Sequence, residues 1–153
     1  MGSERFVKEL NQLLVSTYQT IEKMERKMIC KGSAAAARLS MAEIHLIEAV
    51  GRGKERKTIS AIAERLNITL ASVTVGVNKL VKKELLQKKR SEKDGRVIYV
   101  SLTSKGRAVY QRHTDFHMSM VKYIALGLTK EEQYAMLRGI QKLRDFFAGK
   151  TEV

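Results

Sequence analysis

Residues 68–83 read ITLASVTVGVNKLVKK, and the fold of the chain depends on whether this stretch is a strand or a helix. Its middle alternates apolar and polar residues, a pattern typical of a half-buried strand. A helical period instead places five residues on one stripe, namely Leu70, Val73, Val77, Leu80 and Val81. This stripe persists too long for an ordinary strand, and Thr69 offers an N-cap oxygen. The stretch is therefore predicted to be a helix.

Helices are also predicted before this stretch. Apolar residues spaced by three and four across residues 6–29 indicate a long amphipathic first helix, and residues 31–37 form a connector of mostly small residues. Ser40 followed by Glu43 is a capping-box pattern, which predicts a second helix through about Val50.

The next segment is predicted to be short and to lead directly into the opening stretch. Thr58 and Ile59 form an extended link, and a brief helix with an apolar face at Ile62, Ala63 and Leu66 then ends near Asn67. Two short helices joined by a tight turn are typical of a helix-turn-helix, whose second helix enters the major groove of DNA.

A hairpin and two further helices are predicted after the helix-turn-helix. Residues 86–90 and 97–102 carry strand-compatible side chains on either side of a polar turn over residues 91–96. Thr103 can cap a long helix to about Leu126, and a capping box at Thr129 and Glu132 begins a last helix. The predicted fold is mainly α with a small β-hairpin wing, a winged helix-turn-helix.

The phase of the predicted helix decides which side chains face outward. With Val73, Val77 and Leu80 turned inward, the outward residues are Ala71, Ser72, Val75, Asn78, Lys79 and Lys82. Ser72 and Asn78 can hydrogen-bond base edges, and Val75 can contact a thymine methyl group. The lysines suit phosphates. The alternative interpretation is a solvated basic face with one exposed valine.

Positive charge is concentrated around this helix and the hairpin. The chain of 153 residues has a formal net charge of +13, and residues 79–112 hold eleven basic and three acidic residues. Such a concentration indicates a polyanionic partner such as nucleic acid. At the hairpin tip, Lys93 and Arg96 are placed to reach a minor groove, and Asp94 is expected to orient the Arg96 guanidinium.

Composition also bounds the cellular context. The longest apolar stretches, such as residues 123–128, are far short of the ~20 residues that cross a bilayer, so no membrane association is expected. The single cysteine, Cys30, excludes an intrachain disulfide framework and fits a reducing compartment. We therefore expect a cytoplasmic protein. Sequence patterns of metalloproteases, hydrolases and phosphate-binding loops are absent, so no enzyme is expected.

These residues resemble the MarR family of bacterial transcriptional regulators over essentially the whole chain. The segments that carry the resemblance are LSMAEIHLIEAVG, SAIAERLNITLASVTVGVNKLVKKELL and the wing RSEKDGRVIYVSLTSKGR. The family's wing motif D-x-R is present as Asp94 and Arg96, although Gly95 stands where many members have a second basic residue.

The resemblance implies a single MarR-like unit over residues 1–153 that forms a homodimer. Dimerisation helices would cover residues 4–31 and 104–148, interlocking with those of the partner, and the winged helix-turn-helix would cover about residues 40–102. The dimer would bind a pseudo-palindromic operator in double-stranded DNA, most simply as a repressor. The candidate DNA contacts are the outward residues named above together with further residues of the helix-turn-helix and the wing. They are Ser60, Thr69, Ala71, Ser72, Thr74, Val75, Asn78, Lys79, Lys82, Arg90, Lys93, Asp94 and Arg96.

Within the family, the chain is most similar to the repressors of fatty-acid synthesis from Gram-positive bacteria. The matching segments are MAEIHLIEAVG, ITLASVTVGVNKLVKKE and FHMSMV. This similarity implies a fatty acyl effector carried on acyl carrier protein. The candidate ligand-binding residues are Glu22, His45, Leu46, His113, His117, Met118 and Val121, and the apolar ones among them are equally compatible with ordinary core packing. Met120 is a further lining candidate.

The histidines offer a different effector. His113 and His117 are spaced i, i+4 on one helix face, a common arrangement for two metal ligands. A zinc-responsive branch of the same family is similar at these positions and at His45, and either Glu22 or Glu25 can complete a tetrahedral site. If the effector is a fatty acyl group, the protein requires no cofactor. If the histidines are metal ligands, the protein binds zinc. A third alternative is an architectural protein that coats DNA without sequence preference.

Overall fold

A computed structural model of the protein describes residues 3–31, 38–53 and 55–149. Six helices and three strands are present in these ranges: α1 Ser3–Cys30, α2 Met41–Gly51, β1 Lys57–Thr58, α3 Ile59–Leu66, α4 Leu70–Lys82, β2 Leu86–Arg90, β3 Ile98–Leu102, α5 Ser104–Leu126 and α6 Lys130–Ala148. The predicted fold class, mainly α with a hairpin wing, is confirmed. Of the predicted connector at residues 31–37, only Lys31 lies within the described residues.

The chain divides into two compact units, one ending at Phe116 and one beginning at His117. The first contains α1 to the early turns of α5, and the second contains the rest of α5 and α6. The single MarR-like unit and its dimerisation ranges stay predictions.

The core of the first unit packs α2, α3 and α4 against the sheet. Its fully buried side chains include Ile44, Ile47, Ile62, Val73, Val77, Leu80, Leu86 and Val100. Burying a side chain of this size stabilises the fold by about 1.5–3 kcal/mol. The valines of α4 weaken an isolated helix, so this burial is what holds the stretch helical.

Capping side chains fix where the helices begin. The boxes predicted at Ser40 with Glu43 and at Thr129 with Glu132 are both formed. Thr103 accepts a hydrogen bond from the Gly106 N–H at 3.0 Å, which places it as the predicted cap of α5.

The extended link predicted at Thr58 and Ile59 is wrong at its second residue. Thr58 Oγ1 accepts a hydrogen bond from the Ala61 N–H at 3.1 Å, so Thr58 is the N-cap and Ile59 begins α3. The strand is Lys57–Thr58 instead, and it pairs with β3.

The helix-turn-helix turn depends on a left-handed residue. Asn67 has φ +52 and ψ +46. Asparagine tolerates this left-handed region better than most residues. The left-handed backbone at Asn67 ends α3, and α4 begins three residues later.

The three strands form one antiparallel sheet in the order β1-β3-β2. Leu86 lies opposite Leu102, and Arg90 lies opposite Ile98. The hairpin therefore starts at the core and ends at a tip over residues 91–97, where Ser91 accepts hydrogen bonds from the backbone N–H groups of Lys93 and Asp94.

Candidate nucleic-acid interface

The first turn of α4 is fixed by its own side chains. Thr69 Oγ1 accepts a hydrogen bond from the Ser72 N–H at 3.1 Å, and the two hydroxyl oxygens lie 2.8 Å apart. Hydroxyl caps of this kind contribute about 1 kcal/mol. Ser72 is thus held at the exposed start of the helix, with Ala71 beside it.

The predicted phase of α4 is confirmed at its outward residues. Ala71, Ser72, Val75, Asn78, Lys79 and Lys82 are all exposed. Val75 is 54% exposed, whereas Val73 and Val77 are fully buried. The alternation of valines thus reflects two sides of one helix.

Leu70 departs from the predicted buried stripe, because it is 56% exposed. It is the first residue of α4. Leu70 lines instead an open cleft of about 380 Å³ together with Ser60, Thr74, Arg96 and neighbouring residues of α3 and the wing. The cleft brings three of the candidate DNA contacts to one place between α3, α4 and the hairpin.

A glycine lets α4 lie close to α2. A Cβ added to Gly76 would lie 2.8 Å from Leu46 Cδ2, closer than carbon atoms approach without displacement. Leu46 is buried, so its observed role is core packing at this contact. The sequence showed only the cost of glycine in a helix, because the close approach depends on tertiary structure.

The side chain of Asn78 connects α4 to the wing. Its Oδ1 lies 2.7 Å from Lys88 Nζ on β2. Thr74, in contrast, is occupied within its own helix, where its hydroxyl donates to the Leu70 carbonyl at 2.8 Å. Lys88 was not among the candidate contacts, because a separation of ten residues across two elements gives no signal in the sequence.

The wing tip is exposed and basic, but one expected contact differs. Lys93 and Arg96 are exposed at the tip, and Arg90 is exposed at the end of β2. Asp94 Oδ1 accepts a hydrogen bond from the Arg96 backbone N–H at 2.9 Å. The expectation that Asp94 orients the Arg96 guanidinium is therefore wrong: the carboxylate shapes the turn, as aspartates two residues before an N–H commonly do.

A charged pair connects the start of α2 with the end of α4. Lys83 Nζ donates to Glu43 Oε1 at 2.7 Å and to the Arg38 carbonyl at 3.2 Å. Burial alone would raise the pKa of Glu43, but the hydrogen bonds from Lys83 and from the Ser40 N–H, with the charge of Lys83, hold that pKa below its ordinary value.

The histidines bring α1, α2 and α5 together. His113 Nε2 lies 3.2 Å from Glu25 Oε1, and both residues are about 95% buried. The rings of His45 and His113 are 6.3 Å apart, edge to face, although His45 is exposed. His117 follows one turn later on α5. A carboxylate and imidazoles are donors that suit zinc.

The remaining ligand candidates are more dispersed. Glu22 is exposed, and its carboxylate lies 4.0 Å from the Arg26 guanidinium. Met118 and Val121 are about half exposed, and Met120 is partly buried, all in the second unit. The side chain of Cys30 lies outside the described part of the structure.

The elements α3, α4 and the β2–β3 hairpin define a winged helix-turn-helix protein, and comparisons with known proteins agree. The family model described as transcriptional regulator SarA/Rot matches residues 28–112, more than half of the chain. The structure of Streptococcus pneumoniae FabT in complex with DNA is similar with a TM-score of 0.82 and 31% identity, covering 94% of this chain and 98% of that one.

Two further relatives are PchR of Bacillus subtilis and ZitR of Lactococcus lactis. PchR is 28% identical over 68% of this chain and 63% of its own length, and ZitR is 35% identical over 61% and 66%. A structure of ZitR, described as a zinc-responsive MarR family member, has a TM-score of 0.67 and 26% identity, covering 93% of this chain and 99% of that one. The match spans less than two thirds of either curated relative.

The chain belongs to the SarA/Rot family of transcriptional regulators and has the MarR-type winged-helix fold. The predicted resemblance to MarR regulators is confirmed. PchR and ZitR are transcriptional regulators as well. Across residues 3–31, 38–53 and 55–149, no helix is long and apolar enough to span a bilayer.

Proposed function

We propose that this protein is a sequence-specific DNA-binding repressor that acts as a homodimer on a pseudo-palindromic operator. In this proposal α4 enters the major groove with Ala71, Ser72, Val75, Asn78 and Lys79. Arg96 at the wing tip reaches the neighbouring minor groove, and Thr69, Lys82, Arg90 and Lys93 bind the backbone.

The observation that carries the proposal is the outward face of α4. The exposed small and hydroxyl side chains of Ala71 and Ser72 lie at its N-terminal end, Val75 and Asn78 follow on the same exposed face, and Lys79 and Lys82 lie at its C-terminal end. A helix that only scatters positive charge does not need a capped, small-residue end beside a basic hairpin. The pattern matches what base reading and phosphate contact require.

Homodimerisation is favoured by apolar surface that the isolated chain leaves exposed. Phe6, Leu13 and Tyr18 on α1 are all more than half exposed. None of residues 130–148 of α6 is buried, although this fully described helix carries an apolar stripe that includes Leu137 and Ile140. Exposed apolar area on this scale marks an interface, and a second copy supplies the complementary stripe.

Operator binding is tested by comparing duplexes at two salt concentrations. Duplexes of random sequence are first selected for binding to the protein. The affinity for the enriched palindrome is then compared with the affinity for a scrambled duplex of equal length and composition. Tighter binding to the palindrome at both salt concentrations is expected, with affinity for both duplexes falling as salt rises. Equal affinity for the two duplexes at both concentrations supports the architectural alternative and overturns the proposal.

For the effector, we infer a fatty acyl group delivered by acyl carrier protein. The similarity to FabT over nearly the whole chain supports an effector of the kind expected for the fatty-acid-synthesis subgroup. The side chains of the apolar candidates Met118 and Val121 are about half exposed, so an acyl chain can reach them. The test is operator affinity with acylated against unacylated carrier protein. Identical affinity in the two cases removes this effector.

Zinc is the second candidate effector, and a specific contact favours it. Glu25 and His113 lie with a carboxylate oxygen and a ring nitrogen 3.2 Å apart in a buried position. A zinc ion would be held by these two groups, with His45 as a further ligand, and would thereby connect α1 and α2 with the first half of α5. Native mass spectrometry of freshly purified protein distinguishes a dimer with zinc from a dimer with an acyl ligand.

A further inference from the structure

The hydrogen bond between Asn78 and Lys88 has a consequence for base recognition. A lysine ammonium group has three donors and no acceptor. The Asn78 atom that lies 2.7 Å from Lys88 Nζ is therefore the amide oxygen. The orientation of the Asn78 amide follows from the chemistry of its partner.

This orientation favours one kind of contact with DNA. With Oδ1 occupied, Asn78 presents its NH2 group, which donates hydrogen bonds, on the exposed face of α4. An asparagine that is free to turn commonly binds adenine with both atoms, accepting from N6 and donating to N7. That bidentate contact needs the oxygen on which Lys88 already occupies one of the two lone pairs, so the adenine amino group would have to share this oxygen with an ammonium group.

We propose that Lys88 biases Asn78 against the paired contact to adenine and towards donating to a hydrogen-bond acceptor in the major groove. The acceptors available there are guanine N7 and O6, thymine O4 and adenine N7, and of the four bases only guanine offers two acceptors side by side. Lys88 is thus a positioning residue, which sets the base preference of α4 from the wing. The inference rests on the proposed operator binding, with α4 in the major groove.

The position of Lys88 strengthens this inference. It lies on β2 opposite Val100, in the part of the hairpin that is paired with β3, so its backbone is held within the sheet. Neighbouring Lys89 differs, because its Nζ lies 3.2 Å from Glu92 at the wing tip. Two adjacent lysines of equal charge therefore have different partners, and this gives a matched pair of variants.

In the experiment, duplexes of random sequence are selected for binding to the wild-type protein, to Lys88→Met and to Lys89→Met, and the enriched sequences are compared. With Lys88→Met, the Asn78 amide is released, and the base beneath it should shift from guanine or thymine towards adenine by about tenfold in relative preference, within the ~5–150-fold range of one good base contact. Lys89→Met should lower affinity through the lost charge and keep the wild-type base preference.

A second measurement locates the contact. Asn78→Ala and wild type are tested on operators carrying 7-deazaguanine, or a thymine analogue without O4, at single positions. One analogue should weaken wild-type binding by roughly tenfold and leave Asn78→Ala binding unchanged. A wild-type preference for adenine at this position, or an unchanged preference in Lys88→Met, overturns the inference. Failure of wild type to select any sequence would instead remove the proposed function itself.

Discussion

Lys83 Nζ, just past the end of α4, lies 2.7 Å from Glu43 Oε1 in the first turn of α2. Glu43 also closes the capping box by accepting a hydrogen bond from the Ser40 N–H at 2.9 Å. One carboxylate therefore both begins α2 and holds the C-terminal end of α4. The orientation of the DNA-facing helix depends on this pair in addition to the apolar contacts beneath it.

Glu43→Gln should lower the free energy of unfolding at neutral pH by about 1–2 kcal/mol, because Lys83 loses its charged partner in a partly buried position. The pKa of Glu43 is lowered in the folded state. A carboxyl group of this kind stabilises the fold fully above its unfolded pKa, and the contribution is lost as pH falls through the lower, folded pKa. The difference between wild type and variant in urea unfolding should therefore shrink below about pH 4.

Glu84→Gln is the matched control for this prediction. The hydrogen bond from Lys105, followed by the charge of Lys105, lowers the pKa of Glu84, but this carboxylate is exposed. Exposed ion pairs contribute little, so unfolding at pH 7 should barely change. An equal loss of stability in the two variants would contradict the role assigned to Glu43.

Gly106→Ala should destabilise the protein strongly. A Cβ at Gly106 would lie 1.9 Å from the Leu85 carbonyl oxygen, and the same oxygen accepts a hydrogen bond from the Thr103 N–H at 3.1 Å. Relief of the clash must shift the start of α5 away from the loop between α4 and β2, at a cost of about 3 kcal/mol. Thermal unfolding measures the loss.

Gly95→Ala provides the comparison, because a Cβ there meets open space at the wing tip. Its melting temperature should equal that of wild type. If Gly106→Ala were as stable as Gly95→Ala, the close approach of α5 to Leu85 would be wrong.

Val73→Thr and Val75→Thr make the same chemical change two residues apart on α4. Val73 is fully buried, so the added hydroxyl should destabilise the fold by about 1–3 kcal/mol. Val75 is exposed, and its substitution should change stability by less than about 0.5 kcal/mol. If Val75 meets a thymine methyl group, Val75→Thr instead weakens binding to the selected operator. Unfolding and operator titration on both variants separate these effects, and a strongly destabilised Val75→Thr would show that the helical phase is wrong.

The valines of α4 show which features of the fold can be predicted from the sequence. The helical period, the N-cap at Thr69 and both capping boxes are local patterns, and the structure confirms them. Contacts between distant elements were not accessible, namely Asn78 with Lys88 and Gly76 with Leu46. The contact of Asp94 with the Arg96 backbone N–H is local, but the opposite charges of the two side chains suggested the guanidinium as the partner. Leu70 lies on the buried side of the helical period, but it lines an open cleft with Ser60, Thr74 and Arg96, and a helical period does not encode which elements surround the end of a helix.

Arg96→Ala should weaken operator binding and reduce the slope of log affinity against log salt by about one unit per protomer, because one cation leaves the DNA backbone or minor groove. Arg96 is exposed at the wing tip, and its backbone N–H is held by Asp94. The substitution removes only the side chain and should not affect the fold. Lys142→Ala on α6 removes an equal charge outside the winged helix-turn-helix and should keep the wild-type slope. Equal slopes for wild type and Arg96→Ala would remove the wing from the interface.

Glu25→Gln and Glu22→Gln test the zinc alternative with two glutamates of the same helix. Glu25 is buried against His113, whereas the side chain of Glu22 is 48% exposed beside Arg26. An amide is a poor zinc ligand and can still hydrogen-bond His113, so Glu25→Gln should remain folded and lose zinc affinity by more than about tenfold. Glu22→Gln should bind zinc as wild type does. Competition with a chromophoric chelator measures both affinities. Equal zinc binding in the two variants would leave Glu25 and His113 as a buried hydrogen-bonded pair of the core, and would favour the acyl effector.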